Sequence, residues 1–450
     1  MEIKIFYVPG ISHFSYAIIG TNAIAIVDPK RIIDDYLKLA EEHVLPIKYI
    51  FLTHNHADFI GGHLLLAEAT GAEICGGPNL QTDYPIKKLS PVDEVSLGGV
   101  YLKVVETPGH TPDHASYLLF EEGAKEPFAI FSGDSLFSGD IGRPDLFGPE
   151  KQEELVKHSF ETIKEYRALP DHVLLYPAHG AGSFCGKRLS QRCPSSIGYE
   201  KRHNPMLKIE DFDEFKETLF SQMPTPPAYY FKTSRRNQTG EGLKDILEPP
   251  RRLSFEELKD SKSLIIDLRD QAAFATFHIP GSLNIAADIH LAMAAGFVLD
   301  SSEEYLLLGS REEIERALPT LYMMGIDRVK GVFPEGIEPW RKNSQPFSRI
   351  EYLSPLEAEE RLKTGDTILL DVRTESEFAE GHIPGARFCP LAKLKSSLND
   401  LPRDKFILCQ CGHGCRGSLA ASLLKRAGFE RVGNLAGGIM AWKASGLPIE

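Results

Sequence analysis

Short apolar runs alternate with helix-like segments through the first half of the chain, and several of these runs end in His or Asp. An apolar run of four to eight residues predicts a buried strand, and the segment DDYLKLAEEH at 34–43 predicts a helix. The predicted strands with their polar ends are AIAIVDP at 23–29, YIFLTH at 49–54, VYLKVVETPGH at 100–110, FAIFSGD at 128–134 and HVLLYPAHG at 172–180. Because loops at a sheet edge commonly assemble active sites, we expect the functional residues at these strand ends.

The second half of the chain repeats itself. LIIDLRDQAAFATFHIPGSLNI, from Leu264, and ILLDVRTESEFAEGHIPGARFC, from Ile368, share a strand, Asp-x-Arg, a Phe and His-Ile-Pro-Gly. The two tryptophans of the chain, Trp340 and Trp442, follow at matching distances. The repeat predicts two copies of one α/β unit with buried parallel strands and helical crossovers.

A chain of 450 residues exceeds what one hydrophobic core usually organises, so we expect several domains. Residues 222–250 are rich in Pro, Gly and polar residues, which indicates a linker or a docking arm. We predict a first domain at 1–245 that ends in this linker, and repeat domains at 246–348 and 349–450.

Charge and cysteine content narrow the class of protein. The formal net charge of −13 disfavours nucleic acid, because phosphate binding depends on clustered Lys and Arg, and it favours small substrates. No apolar run reaches the roughly 18 residues that span a bilayer, and the start lacks a signal-peptide pattern, so we expect a cytoplasmic protein without a membrane partner. Seven cysteines, with three at Cys409, Cys411 and Cys415, suit reduced, reactive thiols better than disulfides.

Four strand-end segments carry candidate metal ligands. THNHADF at 53–59 supplies His54, His56 and Asp58, and the later segments supply His110, Asp134 and His179. Their order resembles the metallo-β-lactamase superfamily over about residues 1–200, and within it the persulfide dioxygenases. The resemblance implies an αββα sandwich.

One position departs from the His-x-His-x-Asp-His signature of that superfamily. Its last His helps to hold a second metal, and here it is Phe59, which has no ligand atom. The resemblance therefore implies one Fe(II) per chain, held by His54, His110 and Asp134. Two imidazoles and one carboxylate form the triad that leaves coordination sites open on non-haem iron.

The resemblance also assigns residues around these ligands. His56, Asp58 and His179 either orient ligands, water or substrate, or are structure left from a two-metal ancestor. The GRPD segment, with Arg143 and Asp145, looks like the dioxygenase segment that follows the ligand Asp. The stretch from Cys185 to 207 looks like the version fused to rhodaneses. In it, Cys185 and Cys193 have either a chemical role or, by default, a buried structural one.

The last repeat carries a candidate sulfur-transfer loop. The strand FILCQ leads into Cys411-Gly412-His413-Gly414-Cys415-Arg416, and the predicted helix GSLAASLLKRAGF follows. A cysteine at such a turn faces backbone N–H groups and a helix N-terminus, which stabilise a thiolate.

The spacing Cys-x-x-Gly-x-Arg, with Asp-x-Arg and His-Ile-Pro-Gly before it, resembles the rhodanese family over about 350–450. This implies that Cys411 carries a persulfide, and that Arg416 shapes the loop and attracts an anionic acceptor. Cys409 is then structural, and Cys415 is either a passive thiol or one that resolves the persulfide into a disulfide.

The middle copy reads YLLLGSREEIERAL at the position of this loop and has no cysteine there. Residues 246–348 are therefore predicted to be a degenerate rhodanese that serves docking or assembly, and we expect a homo-oligomer.

Together the resemblances imply oxidation of a thiol persulfide of the glutathione, coenzyme A or bacillithiol type by O₂, giving sulfite and free thiol. The Cys411 persulfide would then convert sulfite into thiosulfate. Two alternatives stay open: a glyoxalase-II-like zinc thioester hydrolase fused to a sulfurtransferase, and a sulfur-relay protein that oxidises nothing.

Overall fold

The computed structural model of the chain describes residues 1–221, 223, 226–227, 229–245 and 247–450. The chain divides into two compact units, Met1–Pro226 with Tyr230–Ile246, and Pro227–Tyr229 with Leu247–Glu450. The three predicted domain ranges stay a prediction. None of the described helices combines the length and apolar character that crossing a bilayer requires.

The first unit contains two mixed six-stranded sheets. The first sheet has the order β1 (Glu2–Val8), β2 (His13–Ile19), β3 (Ile24–Val27), β4 (Ile47–Leu52), β5 (Glu73–Gly76), β6 (Lys87–Lys88). In the second sheet, strands that follow one another in the chain are also neighbours in space. Its strands are β7 (Val95–Ser96), β8 (Val100–Glu106), β9 (Ala115–Glu121), β10 (Ala129–Gly133), β11 (Leu174–Pro177), β12 (Ser195–Ser196). The helices that belong with them are α1 (Asp34–His43), α2 (His63–Thr70), α3 (Pro149–Ala168), α4 (Ile197–His203), α5 (Phe212–Phe220), α6 (Tyr229–Thr239).

The two sheets pack face to face over an apolar core. Tyr16 of the first sheet meets Phe131 of the second at 5.2 Å between ring centroids, and Phe51 meets Tyr117 at 4.8 Å. Helices α1 and α2 cover the outer face of the first sheet, and α3 to α5 cover that of the second. The predicted αββα sandwich is therefore confirmed.

The sandwich brings the strand ends named above to one edge. Within each of the parallel pairs β3–β4 and β10–β11, the carboxyl ends of the two strands lie at the same edge of the sheet. Backbone hydrogen bonds join the two sheets at this edge, from Ala115 N–H to the Thr53 carbonyl (2.9 Å) and from Phe14 N–H to the Ala178 carbonyl (2.7 Å). Loops from both sheets consequently meet over a short distance.

Part of the predicted linker is a helix. Residues 229–239 form α6, and from Tyr230 onwards this helix belongs to the first unit. Its Asn237 side chain donates to the carbonyls of His56 and Phe59, both at 2.7 Å, and accepts from Gly61 N–H at 2.9 Å. The helix is therefore fixed to the segment that follows β4. Residues 222, 224, 225, 228 and 246, which also belong to the predicted linker, lie outside the described residues.

The second unit contains two five-stranded sheets with the same strand order. In the middle copy the chain runs β13 (Arg251–Arg252), α7 (Phe255–Asp260), β14 (Leu264–Asp267), α8 (Gln271–Thr276), β15 (Leu283–Asn284), α9 (Leu291–Val298), β16 (Tyr305–Leu308), α10 (Arg311–Met323), β17 (Val329–Phe333), α11 (Glu338–Lys342). In the last copy it runs β18 (Glu351–Leu353), α12 (Pro355–Lys363), β19 (Thr367–Asp371), α13 (Glu375–Ala379), β20 (Arg387–Phe388), α14 (Leu391–Leu394), β21 (Phe406–Gln410), α15 (Cys415–Arg426), β22 (Val432–Leu435), α16 (Gly438–Ala444). The spatial orders are β13-β17-β16-β14-β15 and β18-β22-β21-β19-β20, which confirms the predicted repeat.

The repeated sequence motifs make equivalent contacts in both copies. The indole N–H of Trp340 donates to the carbonyl of Pro346, and that of Trp442 donates to Pro448, both at 2.8 Å. In each copy the Asp-x-Arg pair forms a buried ion pair, Asp267 with Arg269 and Asp371 with Arg373. These motif residues stabilise the fold, because buried charges and indole N–H groups need partners.

The middle copy also supports the helix behind the cysteine loop. On α15, the Ser418 hydroxyl donates to Asn284 Oδ1 at 2.6 Å, and the Ser422 hydroxyl accepts from Asn284 N–H at 3.2 Å. Both serines and Asn284 are buried. The two copies therefore share a polar contact that fixes α15.

Candidate metal centre and cysteine loop

Three of the predicted ligands lie together at the edge of the sandwich. Asp134 Oδ2 is 3.8 Å from His54 Nε2 and 3.4 Å from His110 Nε2. All three side chains are buried, and each offers a donor atom within 4.8 Å of the other two. Donor atoms at these separations suit one ion at the usual ligand distances of about 2.0–2.2 Å.

Hydrogen bonds at the far side of each ring leave both Nε2 atoms with a free lone pair. The Thr53 hydroxyl donates to Asp28 at 2.8 Å, so it accepts from His54 Nδ1, which is 3.0 Å away. His110 Nδ1 donates to the Arg143 carbonyl at 2.8 Å. Burial lowers the pKa of both imidazoles, which favours the neutral form that ligates metals.

The donor atoms that face one another are available to bind an ion. Within the described part of the chain, neither His54 Nε2 nor Asp134 Oδ2 has a hydrogen-bond partner, and both are buried. A buried polar atom without a partner costs about 1–3 kcal/mol, and a bound cation removes that cost. The residues therefore fit a resident metal ion.

Asp134 is held by two histidines that are not among these ligands. His179 Nδ1 donates to Asp134 Oδ1 at 2.7 Å, which leaves Oδ2 to face the other donors. The backbone N–H of Asp134 donates to His114 Nε2 at 3.1 Å. Burial lowers the pKa of His179, but the carboxylates of Asp134 and Asp58 outweigh it and raise that pKa well above its ordinary value.

His56 turns towards another carboxylate. Its Nε2 lies 3.4 Å from Asp28 Oδ1, and its Nδ1 lies 3.9 Å from Asp58 Oδ1. Burial lowers the pKa of His56, but the contact with Asp28 outweighs it, so the pKa is raised. His56, Asp134 and His179 form a second set of neighbouring donors, in which the His179 ring is already engaged by two carboxylates.

Phe59 fills the place beside this second set. Its ring is fully buried, 4.5 Å from the ring of His56 and 4.0 Å from that of His13. An apolar ring offers no ligand and displaces water, so the site has one donor fewer than a two-metal centre of the signature type.

The GRPD segment fixes His110 through its main chain. Arg143 is buried and forms a bidentate pair with Asp145, at 2.6 and 2.7 Å, while its carbonyl accepts from His110. Gly142 is required here, because a Cβ at this position would lie 1.9 Å from the carbonyl oxygen of Asp134.

Cys185 and Cys193, whose roles the sequence left undecided, have different surroundings. Cys185 is buried within 4.8 Å of donor atoms of Asp58 and His179, and burial raises its pKa to about 12. Cys193 lies 3.2 Å from the Tyr16 hydroxyl, and burial raises its pKa to about 11. Both are therefore thiols at neutral pH, as is typical of structural cysteines.

Several residues of the centre were missed in the sequence. His13, Asp28, Thr53 and His114 lie around the ligands, and of these Asp28 and Thr53 carry a signal, because both lie at the polar ends of predicted strands. Asn237, which fixes the segment after β4, carries no signal because it lies in a polar stretch far along the chain.

In the last copy, Cys411 lies where the strand β21 passes into the helix α15. It is buried, its Sγ accepts from Gly414 N–H at 3.1 Å, and α15 starts at Cys415. Gly414 has a φ of +100°, which an L side chain rarely adopts. A sulfur at a helix N-terminus with a backbone donor is stabilised as an anion.

Arg416 is paired with a carboxylate of the same copy. It forms a bidentate pair with Glu377 at 2.6 and 2.7 Å. Burial raises the pKa of Glu377, but Arg416 outweighs it and brings that pKa to about 2. Arg416 thus holds the start of α15 to Glu377 of α13, and its predicted attraction of an anionic acceptor stays a prediction.

Cys415 and His413 face the middle copy. Cys415 Sγ accepts from Gln271 Nε2 at 3.1 Å and lies 3.7 Å from Asp288 Oδ2, and burial raises its pKa to about 12. The exposed His413 ring lies 5.9 Å from that of His290. Cys409 is buried on β21, where burial raises the pKa of its thiol. The cysteine-less copy therefore supplies polar groups beside the loop.

In the middle copy itself, β16 passes into α10 without such a loop. Ser310 caps α10 through a reciprocal contact with Glu313, so this turn is closed by the helix's own residues.

Comparison with known proteins agrees with the two halves of the chain. The model of the Metallo-beta-lactamase superfamily matches residues 10–179, and that of the Rhodanese-like domain matches 254–342 and 354–445. A hydroxyacylglutathione hydrolase from Rhodospirillum rubrum is 34% identical over 48% of this chain and 89% of its own length.

Two solved structures are similar as well. A metallo-beta-lactamase from Staphylococcus aureus is 33% identical, with a TM-score of 0.68 over 74% of this chain and 98% of that chain. The structure of ETHE1 from Myxococcus xanthus is 28% identical, with a TM-score of 0.46 over 53% of this chain and 99% of that chain.

Replacing one ligand tests the metal centre. We expect His110→Ala to weaken metal binding by more than tenfold, since changes to residues that only support a ligand already cost about 10–100-fold. Metal content after dialysis against a chelator measures this. His172→Ala, on an exposed histidine, is the control, and equal metal retention in both variants would contradict the site.

Replacing Glu377 tests the cysteine loop. We expect Glu377→Gln to destabilise the second unit by about 1–3 kcal/mol, because the buried guanidinium of Arg416 loses the carboxylate that compensates its charge. Calorimetry measures this effect. Glu338→Gln, in an exposed pair with Arg341, should leave the stability unchanged.

Proposed function

Because the chain belongs to the metallo-beta-lactamase superfamily and carries two rhodanese-like domains, we propose that it oxidises low-molecular-weight persulfides and transfers sulfane sulfur. The first reaction is RSSH + O₂ + H₂O → RSH + SO₃²⁻ + 2 H⁺. In the second, the Cys411 thiolate attacks the outer sulfur of another RSSH and releases RS⁻. Sulfite then takes that sulfur from the Cys411 persulfide, which gives thiosulfate, a proton and the free Cys411 thiolate. Persulfide, O₂ and sulfite are then the small-molecule partners.

One observation carries the first reaction. Two neutral imidazoles and one carboxylate converge with free donor atoms, while Phe59 occupies the place of a further ligand. This donor set is typical of a single non-haem Fe(II) with open coordination sites. Such an ion, held by His54, His110 and Asp134, would supply the chemistry that activates O₂.

The surrounding residues have separate tasks in this proposal. His179 orients Asp134, and Thr53 and the Arg143 carbonyl fix the His54 and His110 rings. Phe59 keeps water from the side of the centre that faces His13 and His56. Rigid supporting contacts of this kind keep ligands in a productive geometry.

The second reaction rests on the cysteine loop. The Cys411 sulfur faces Gly414 N–H and the first turn of α15, so a negative charge on it is stabilised. When sulfite attacks the outer sulfur, the electron pair of the S–S bond returns to Cys411, and the same N–H group stabilises the released thiolate. The loop therefore stabilises the Cys411 thiolate that leaves when the S–S bond breaks.

Zinc-dependent hydrolysis of a thioester is the second candidate. The similar protein from Rhodospirillum rubrum is named a hydroxyacylglutathione hydrolase, and His56, Asp134 and His179 offer further donors. A hydrolase of this kind uses metal to generate hydroxide. Phe59 weakens the candidate, because a two-metal centre of the superfamily needs a histidine there.

Metal analysis with oxygen uptake separates the candidates. We expect the purified chain to contain iron, about one ion per chain, and to consume one O₂ per glutathione, coenzyme A or bacillithiol persulfide. His110→Ala should abolish the uptake. Zinc content with thioester hydrolysis and no oxygen uptake would support the hydrolase, and full activity of His110→Ala would leave only a sulfur relay.

Replacing Cys411 tests the coupling of the two reactions. We expect Cys411→Ser to take up oxygen like the unchanged chain but to release sulfite in place of thiosulfate, because serine cannot carry a persulfide. Ion chromatography of the products measures the ratio. Cys409→Ser is the control, and unchanged thiosulfate from Cys411→Ser would show that the reactions are not coupled in this chain.

A further inference from the structure

A pocket of the first unit reaches one of the proposed metal ligands. His110 lines it together with Leu146 and Phe147. Tyr230, Phe231 and Ser234 of α6 also line it. The helix that lies in the predicted linker therefore lines a pocket that reaches a proposed metal ligand.

Two phenylalanines at this pocket are unusually exposed. Phe147 is 40% exposed and Phe231 is 60% exposed, and in the described part of the chain Phe347 is the one other exposed phenylalanine. Both line the same pocket. Exposed aromatic side chains that flank a cleft gain most when a ligand covers them.

The wall that carries Phe231 is held rigidly to the centre. Asn237, two turns further along α6, makes the three hydrogen bonds to His56, Phe59 and Gly61 described above. The Tyr84 hydroxyl donates to the Asn237 carbonyl at 2.9 Å. A ligand held by Phe231 is consequently held at a fixed place relative to the metal ligands.

The pocket continues outwards into a groove of about 390 Å³. The two share Asn55, Thr111 and Phe147. Further along, amide side chains of Asn79, Gln81 and Gln238 line the groove, and its charged residues, Asp113 and Lys151, have opposite signs. This lining suits the amide groups of an extended chain of low charge, because amides need both donors and acceptors.

We infer that Phe147 and Phe231 determine specificity for persulfides whose carrier is an amide-bearing chain, such as a tripeptide or a pantetheine arm. The inference rests on the proposed function. The amide chain lies in the groove, and the carbon next to the persulfide contacts the two rings in the pocket that His110 lines, so that the sulfur end reaches the proposed metal ligands. Inorganic persulfide, which has no carrier, gains nothing from either ring.

Kinetic specificity tests this. We expect Phe147→Ala and Phe231→Ala to lower kcat/KM for glutathione or coenzyme A persulfide, relative to that for inorganic persulfide, by at least tenfold. Phe347→Ala is the matched control, because Phe347 is 46% exposed and lies in the second unit. If both Phe variants keep the ratio of the control, the inference is wrong. If the unchanged chain oxidises no persulfide at all, it is the proposed function that fails.

Binding without turnover gives an independent readout. S-methyl glutathione and S-methyl coenzyme A carry the two kinds of amide chain and cannot react, and calorimetry measures their affinity for the full chain. We expect at least one to bind, and its affinity to fall by fivefold or more in Phe147→Ala and Phe231→Ala but not in Phe347→Ala. The thioether that binds identifies the carrier. Binding of neither, or equal affinity in all variants, would overturn the inference.

Discussion

The first unit depends on the burial of three lone-pair-bearing atoms at one point. His54 Nε2, His110 Nε2 and Asp134 Oδ2 face one another out of water, and hydrogen bonds on the far side of each group prevent any of them from turning away. Like partial charges in a medium of low polarity repel each other strongly. Burying these three atoms together therefore raises the free energy of the fold when no cation is bound and lowers it when one is bound. The packing of the sandwich provides the stability that holds them in place.

The supporting network extends that constraint into both sheets. Asp28 after β3 holds Thr53 after β4, and His179 after β11 holds Asp134 after β10. Asn237 ties α6 to the same segment. Because each contact joins two different elements, a shift of either sheet would disturb the ligands, and the metal centre and the fold stabilise one another.

The second unit also stabilises buried polar groups, and it does so with two copies of one fold. The last copy presents a buried sulfur to backbone N–H groups, and it compensates a buried arginine with Glu377. The middle copy has no cysteine at this position, yet its Asn284 fixes α15, and Gln271 and Asp288 engage Cys415. A copy without chemistry of its own thus contributes to the polar surroundings of the loop, which goes beyond the docking role predicted for it.

The sequence by itself determined the repeat and the candidate residues at the strand ends and in the Cys411 loop, because each depends on local patterns: apolar runs of strand length and motifs at fixed spacing. The sandwich and the missing ligand at Phe59 were implied by the resemblance to the metallo-β-lactamase superfamily. Only the tertiary structure decided which nitrogen of each histidine is free, that Arg416 is paired with Glu377, and that α6 forms a wall near His110. These features depend on contacts between residues far apart in the chain, such as Asn237 with His56, 181 positions away. Local periodicity carries no information about such contacts, because a polar side chain in a loop reads the same whether it faces water or a buried carbonyl.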